Sequence, residues 1–122
     1  MPGESILVVE DEPANLKLVM LVLSRHGYQV HTTRTAEEAL ELVVKIRPRL
    51  ILADICLPGM DGLEMTRLLK SAPETRDFVV VALTACAMKG DEQKALQAGC
   101  DGYIAKPIDV RTFPAMIRQY LK

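Results

Sequence analysis

With 122 residues, 49% of them hydrophobic and 25% charged, the chain suits one globular domain (residues 1–122) that buries a single core without disulfides or a structural metal. A formal net charge of −1 offers no field to draw in nucleic acid or an anionic membrane, and no apolar stretch approaches the length of a membrane span. Three scattered cysteines suit a reducing compartment, and Met1-Pro2-Gly3-Glu4 is too short and too acidic to open a signal peptide, so a cytoplasmic location is expected.

The first predicted strand runs from Ser5 to Glu10, with Ile6-Leu7-Val8-Val9 apolar and Glu10 and Asp11 closing it. Pro13 suits the first position of the helix that follows, and Gly27 ends it. That helix is apolar almost all round, through Leu16, Leu18, Val19, Met20, Leu21, Val22 and Leu23. Tyr28 to Thr33 alternates apolar and polar residues, which predicts an edge strand. Thr35-Ala36-Glu37-Glu38 is a capping box for the second helix, and Pro48 lies just past its end. The third strand, Leu50 to Asp54, leads into the turn segment Leu57-Pro58-Gly59, and Asp61 can cap the third helix with Glu64 three residues on. Phe78 to Leu83 is the fourth strand, followed by Thr84 and by a polar fourth helix over Met88 to Ala98 that Gly99 closes. Asp101 to Ala105 is the fifth strand, followed by Lys106. Asp109 can cap the fifth helix, inside which Pro114 should forfeit a backbone hydrogen bond. Five strand–helix units with mostly continuous apolar strands predict an α/β fold, a doubly wound (βα)5 with a parallel sheet covered on both faces.

In such a sheet the carboxyl ends of the strands share one edge, where open α/β sheets build their sites. That edge would receive Glu10, Asp11, Asp54, Thr84 and Lys106. A carboxylate at the end of a buried strand is costly unless a cation meets it, and three together repel. Hard oxygen donors in small number, with no His or Cys at metal spacing, favour Mg²⁺ over zinc. An aspartate held beside Mg²⁺ and a lysine can attack phosphorus and carry a phosphoryl group, with Lys106 and Thr84 meeting its equatorial oxygens. Taken singly these residues have ordinary readings: Asp11 as a helix cap, Thr84 as a strand residue, Lys106 as a surface lysine. The shared edge is what raises them.

The segments VVEDE (8–12), LILADICLPGMDG (50–62), VVALTA (80–85) and GYIAKPID (102–109) together resemble the markers of the receiver domain of two-component response regulators, over essentially the whole chain. The resemblance implies a CheY-like, flavodoxin-like sheet of order 2-1-3-4-5. It implies that Asp54 accepts phosphoryl from a phosphohistidine, and that Asp11, Asp54 and the backbone carbonyl of Cys56 ligate Mg²⁺ while Glu10 acts through water. Lys106 would bridge to the phosphoryl group, Thr84 would swing toward it, Tyr103 would be the switch aromatic, and the Lys106-Pro107 bond would be cis. The implied partners are a sensor histidine kinase or histidine phosphotransfer domain at the first helix. An output protein would read the fourth helix, fifth strand and fifth helix, with no direct nucleic acid or membrane contact. The receiver would be a monomer or a phosphorylation-dependent dimer, either stand-alone or part of a larger regulator.

Cys56 and Cys86 stand two residues after Asp54 and Thr84, positions that in receivers help set how fast water removes the phosphoryl group. A thiol is a poor partner for that water, which predicts slow loss. Cys100 reads as small core filling, and His26 and His31 as surface or helix-end residues. Two other functions share parts of the pattern. A phosphatase of the haloacid dehalogenase type would carry an aspartate where Cys56 stands, and a flavodoxin-like electron carrier would need a hydroxyl- and amide-rich loop where Glu10 and Asp11 would repel the flavin phosphate.

Overall fold

The computed structural model describes residues 3–55, 57, 59–84, 91–105 and 108–121, with Thr84, Asp91 and Glu92 described by their backbone alone. Among these residues five strands alternate with five helices: β1 (Ser5–Val9), α1 (Pro13–Arg25), β2 (Gln29–Thr33), α2 (Ala36–Ile46), β3 (Leu50–Asp54), α3 (Gly62–Ser71), β4 (Val79–Thr84), α4 (Asp91–Ala98), β5 (Gly102–Ala105) and α5 (Phe113–Tyr120). The strands pair in parallel in the order β2-β1-β3-β4-β5, as expected, and the alternating strand β2 lies at an edge.

The pleat explains how a continuous apolar strand serves two cores. In β1, Leu7 and Val9 point to the face covered by Ala36, Ala39 and Val43 of α2, Met65 and Leu69 of α3, and Ala95 and Ala98 of α4. Ile6 and Val8 point to the other face, against Val19, Val22 and Leu23 of α1 and Phe113 and Ile117 of α5. All four β1 residues are wholly buried, as are Leu50, Ile51 and Leu52 of β3. Each such side chain contributes about 1.5–3 kcal/mol by leaving water, so the central strands are the rigid part from which the loops are launched.

Helix punctuation follows the sequence at Pro13, Gly27, Thr35, Asp61 and Gly99 and departs from it at Asp109 and Pro114. Thr35 accepts from the Glu38 amide at 3.1 Å, Asp61 from the Glu64 amide at 2.8 Å, and Gly99 takes φ +106° beyond α4. The cap of α1 is Glu12, the residue before Pro13: its carboxylate accepts from the amides of Ala14 and Asn15. At the last helix Asp109 does not cap α5. Its side chain accepts from the Arg111 amide at 2.9 Å and so closes the turn that precedes the helix. Helix α5 begins at Phe113 with Pro114 in its first turn, where the missing N–H has no intrahelical acceptor to lose. The expected loss of a hydrogen bond at Pro114 is therefore wrong.

Strand ends shift by about one residue. Phe78 belongs to the turn before β4, donating its amide to the Thr75 carbonyl while Arg47 lies 5.2 Å above its ring. Asp101 precedes β5 and uses its carboxylate as a clamp, accepting from Lys70 and from the Val80 amide, both at 2.9 Å.

Candidate functional site

The carboxyl ends of β1 and β3 bring three acids together. Glu10 directly follows β1 and is wholly buried, Asp54 ends β3 and is 7% exposed, and Asp11 is half-buried. One carboxylate oxygen from each lies within 4.8 Å of the others.

Local bonding explains why these acids converge. The Glu10 amide continues the ladder onto the Thr33 carbonyl at 3.0 Å, which keeps the chain in the sheet for one residue beyond β1. The Glu12 amide then donates to the Glu10 carboxylate at 3.3 Å, closing a tight turn over the buried acid. Because Glu12 takes the helix cap, the Asp11 carboxylate is left for the cluster. On the other side, the Ile55 amide reaches the Leu83 carbonyl and the Gly62 amide reaches the Ile55 carbonyl, both at 3.1 Å. Leu57, 7% exposed, anchors the same loop in the core. Gly59 turns the chain at φ +73°, a conformation that favours glycine. Gly62 packs so closely on the Asp54 carbonyl that a Cβ there would overlap it. Asp54 is thus held by its strand, by the loop after it and by the first residue of α3.

Three carboxylate oxygens at this spacing make a hard, anionic donor set that suits Mg²⁺, a cation bound through one or two carboxylates and several waters. Neither histidine belongs to the cluster: His26 is the exposed C-terminal cap of α1, and His31 lies within β2. Burial of Asp54 and Glu10 in a low-dielectric surround strengthens any cation they meet.

The remaining expected residues divide between described and undescribed parts of the chain. The backbone of Thr84 ends β4, in register with Ala105 at the end of β5, so the ends of these two strands share the edge of the acids. The Thr84 side chain, Cys56, Cys86, Lys106 and Pro107 lie outside the described residues, and with them the bridging lysine, the backbone ligand and the cis bond. Tyr103 is half-buried on β5 and packs against the core that α4 covers. On α1, the core takes Val19, Val22 and Leu23, leaving Met20 and Leu21 exposed at 39% and 52%.

One residue near the site was not singled out from the sequence. Arg34, between β2 and α2, donates from its guanidinium to the Asp11 carbonyl at 3.2 Å. Arginine beside a strand end is common, and this contact emerges only once β2 is known to lie next to β1.

The chain matches the response regulator receiver domain model over residues 6–118. It is 47% identical over 118 residues to the polar-differentiation response regulator DivK of Brucella anthropi, covering 97% of this chain and 96% of that one. Among solved structures, the receiver domain of the sensor histidine kinase PA1611 from Pseudomonas aeruginosa, with a magnesium ion coordinated in its active site cleft, superposes with a TM-score of 0.90 at 33% identity, covering 98% of each chain. The chemotaxis response regulator CheY4 of Vibrio cholerae shares the fold at a TM-score of 0.90 and 24% identity, over 98% of this chain and 99% of that one. With its five-stranded sheet of order 2-1-3-4-5 and its acidic cluster at the strand ends, the chain belongs to the response regulator receiver domain family of two-component signalling.

Proposed function

We propose that this chain, as one receiver domain over residues 1–122, is a phosphorylation-controlled switch in which Asp54 takes a phosphoryl group from a phosphohistidine donor. The observation that carries the reading is the convergence of Glu10, Asp11 and Asp54 at the carboxyl ends of β1 and β3. A carboxylate oxygen of Asp54 attacks phosphorus in line, the phosphorus–nitrogen bond to the donor imidazole breaks, and an acyl phosphate is left on the aspartate. Asp11, Asp54 and the Cys56 carbonyl would hold Mg²⁺, with Glu10 acting through a water, and the bound ion would supply positive charge for phosphoryl transfer. Lys106 bridges to the same group and Thr84 closes on it, while Tyr103 follows the threonine inward. The packing of Asp54 between its strand and Gly62 fixes the direction of attack, which is where a positioned nucleophile gains its rate.

Such a chain acts on itself and turns over no separate metabolite. Exposed Met20 and Leu21 on α1 suit the docking of a sensor kinase or histidine phosphotransfer domain at the acidic end of the sheet. Leu96 on α4 and Val110 before α5, each 52% exposed, suit an output partner on the opposite flank. The reading places the protein in the cytoplasm, where phosphohistidine donors and millimolar-range Mg²⁺ serve such switches, as a monomer or a phosphorylation-dependent dimer. Thiols at Cys56 and Cys86 orient water poorly, so the acyl phosphate is long-lived.

Incubation with Mg²⁺ and acetyl phosphate, followed by intact mass, tests this. One added phosphoryl group is expected, absent in Asp54→Ala and strongly reduced with a chelator. Steady hydrolysis of the donor without accumulation on the protein would favour a phosphatase instead. Unchanged labelling of Asp54→Ala would overturn the assignment of the nucleophile.

A further inference from the structure

The turn that carries Glu10 and Asp11 is tied to the neighbouring loop at two points. The first is backbone: the Glu10 amide donates to the Thr33 carbonyl at 3.0 Å. The second is a side chain: the Arg34 guanidinium donates to the Asp11 carbonyl at 3.2 Å. Arg34 itself is launched from a stiff base. Thr33 before it is the last residue of β2, and Thr35 after it caps α2 through its bond from the Glu38 amide. Within the turn the Glu12 amide donates to the Glu10 carboxylate and the Glu12 carboxylate caps α1, but neither bond involves Asp11. Among the described residues Asp11 is half-buried, Glu12 and Pro13 are exposed, and the only apolar anchors are the strand before and the helix after.

From this geometry we infer that Arg34 is a positioning residue for the acidic pocket: by holding the Asp11 carbonyl it fixes where the Asp11 carboxylate stands relative to Glu10 and Asp54. The inference rests on the reading of that cluster as a Mg²⁺ site. Lysine at this position would keep the charge and one donor. Alanine would lose both, leaving the Glu10 amide bond to the Thr33 carbonyl, among the described residues, as the tie to the neighbouring loop.

Two effects of removing Arg34 have opposite signs, which makes the role testable. Deleting a positive charge near a cation site tightens Mg²⁺ binding by simple electrostatics. Deleting a tether loosens it, because the turn must then be ordered at the expense of binding. The loss of one hydrogen bond from a charged donor corresponds to roughly a 3- to 10-fold weaker affinity. If positioning dominates, the alanine variant binds Mg²⁺ more weakly despite having lost a repelling charge.

The experiment is a calorimetric titration of the metal-free protein with Mg²⁺ for the wild type, Arg34→Ala and Arg34→Lys. It is paired with amide hydrogen exchange of residues 10–12 in chelator and with the thermal unfolding midpoint. Expected are a Mg²⁺ affinity about 3- to 10-fold weaker in Arg34→Ala, recovery of most of it in Arg34→Lys, faster exchange at Glu10 to Glu12 in Arg34→Ala, and a midpoint that barely moves. Equal or tighter Mg²⁺ binding by Arg34→Ala would overturn the role, and so would unchanged exchange of the turn. A lowered midpoint with unchanged affinity would make the contact merely structural and also overturn it. Failure of the wild type to bind Mg²⁺ would instead reject the metal site, and the exchange measurement would still decide whether Arg34 holds the turn.

Discussion

Neutralising Asp11 should make the metal-free protein more stable, because the cluster concentrates like charge. The three acids present oxygens within 4.8 Å of one another, with Glu10 and Asp54 buried. At that distance and an effective dielectric of about 20, each ionised pair repels by about 3.5 kcal/mol. Asp11 takes part in two such pairs, so before screening they sum to about 7 kcal/mol. Asp11 is half-buried, however, and water together with nearby cations screens most of this, which brings the expected gain of Asp11→Asn to about 1–2 kcal/mol. For a chain of this length that is an unfolding midpoint raised by roughly 4–8 °C. Mg²⁺ should erase the difference. At ten times its dissociation constant it should stabilise the wild type by about 1.4 kcal/mol, and it should do little for the variant, which lacks a proposed ligand. The assay is thermal unfolding with chelator and with a Mg²⁺ series, using Asp77→Asn in the exposed α3–β4 loop as a control for removing one negative charge elsewhere. If Asp11→Asn melts at or below the wild-type midpoint in chelator, and still gains stability from Mg²⁺ as the wild type does, the three acids do not share a cation and the reasoning fails.

Three further outcomes are expected. Thr33→Val should stabilise the fold by about 1 kcal/mol in denaturant unfolding, because the buried Thr33 hydroxyl has no hydrogen-bond partner among the described residues and valine has the same shape. Gly62→Ala should cost about 1–3 kcal/mol and weaken Mg²⁺ binding, since its Cβ would overlap the Asp54 backbone, whereas Gly102→Ala, which meets the ring of the half-buried Tyr120, should cost less because a side chain can move aside. Burial pushes the Cys100 thiol above its ordinary range, although the Thr66 hydroxyl beside it works the other way. The folded state therefore favours the protonated thiol, so this contribution to stability is complete below about pH 8.5, where the unfolded thiol titrates, and is lost as pH rises toward the folded value. Unfolding midpoints from pH 7 to 10 should fall less steeply in Cys100→Ala than in the wild type.

The architecture was legible because two kinds of local signal agreed. Apolar runs such as Ile6 to Val9 and Leu50 to Ala53 could only be strands covered on both faces, and the stops between them (Pro13, Gly27, the Thr35 box, Asp61, Gly99) matched the helices that lie on those faces. The misreading at the last helix has a physical origin. Asp109 is a plausible cap by residue type, as is Asp11 in its ordinary reading, but capping depends on which residue's carboxylate reaches the free amides, and that follows from where the chain enters the helix. At α1 the Glu10 amide stays in the ladder and the helix opens at Pro13, as expected, which makes Glu12 the cap. At α5, Pro114 can only be accommodated in the first turn, which moves the helix start past the reach of Asp109.

The identity of the cap at α1 links the fold to the site. Had Asp11 capped the helix, its carboxylate would have been committed to the amides of α1, a stabilising contact of about 1 kcal/mol. Because Glu12 does that work, Asp11 can face Glu10 and Asp54 instead, at a cost in repulsion that only a cation relieves. A turn that spends stability in this way needs an external hold, and the structure supplies one from β2 and the loop after it, through the Thr33 carbonyl and the Arg34 guanidinium. The acids were visible in the sequence because carboxylates at the ends of apolar strands are anomalous. The hold was not visible, because its partners are 23 residues apart and meet only through the order of the sheet. Pocket chemistry is therefore written in residue type, whereas pocket geometry is written in topology. Substitutions at Arg34 should consequently change metal affinity without replacing any residue proposed to hold the metal.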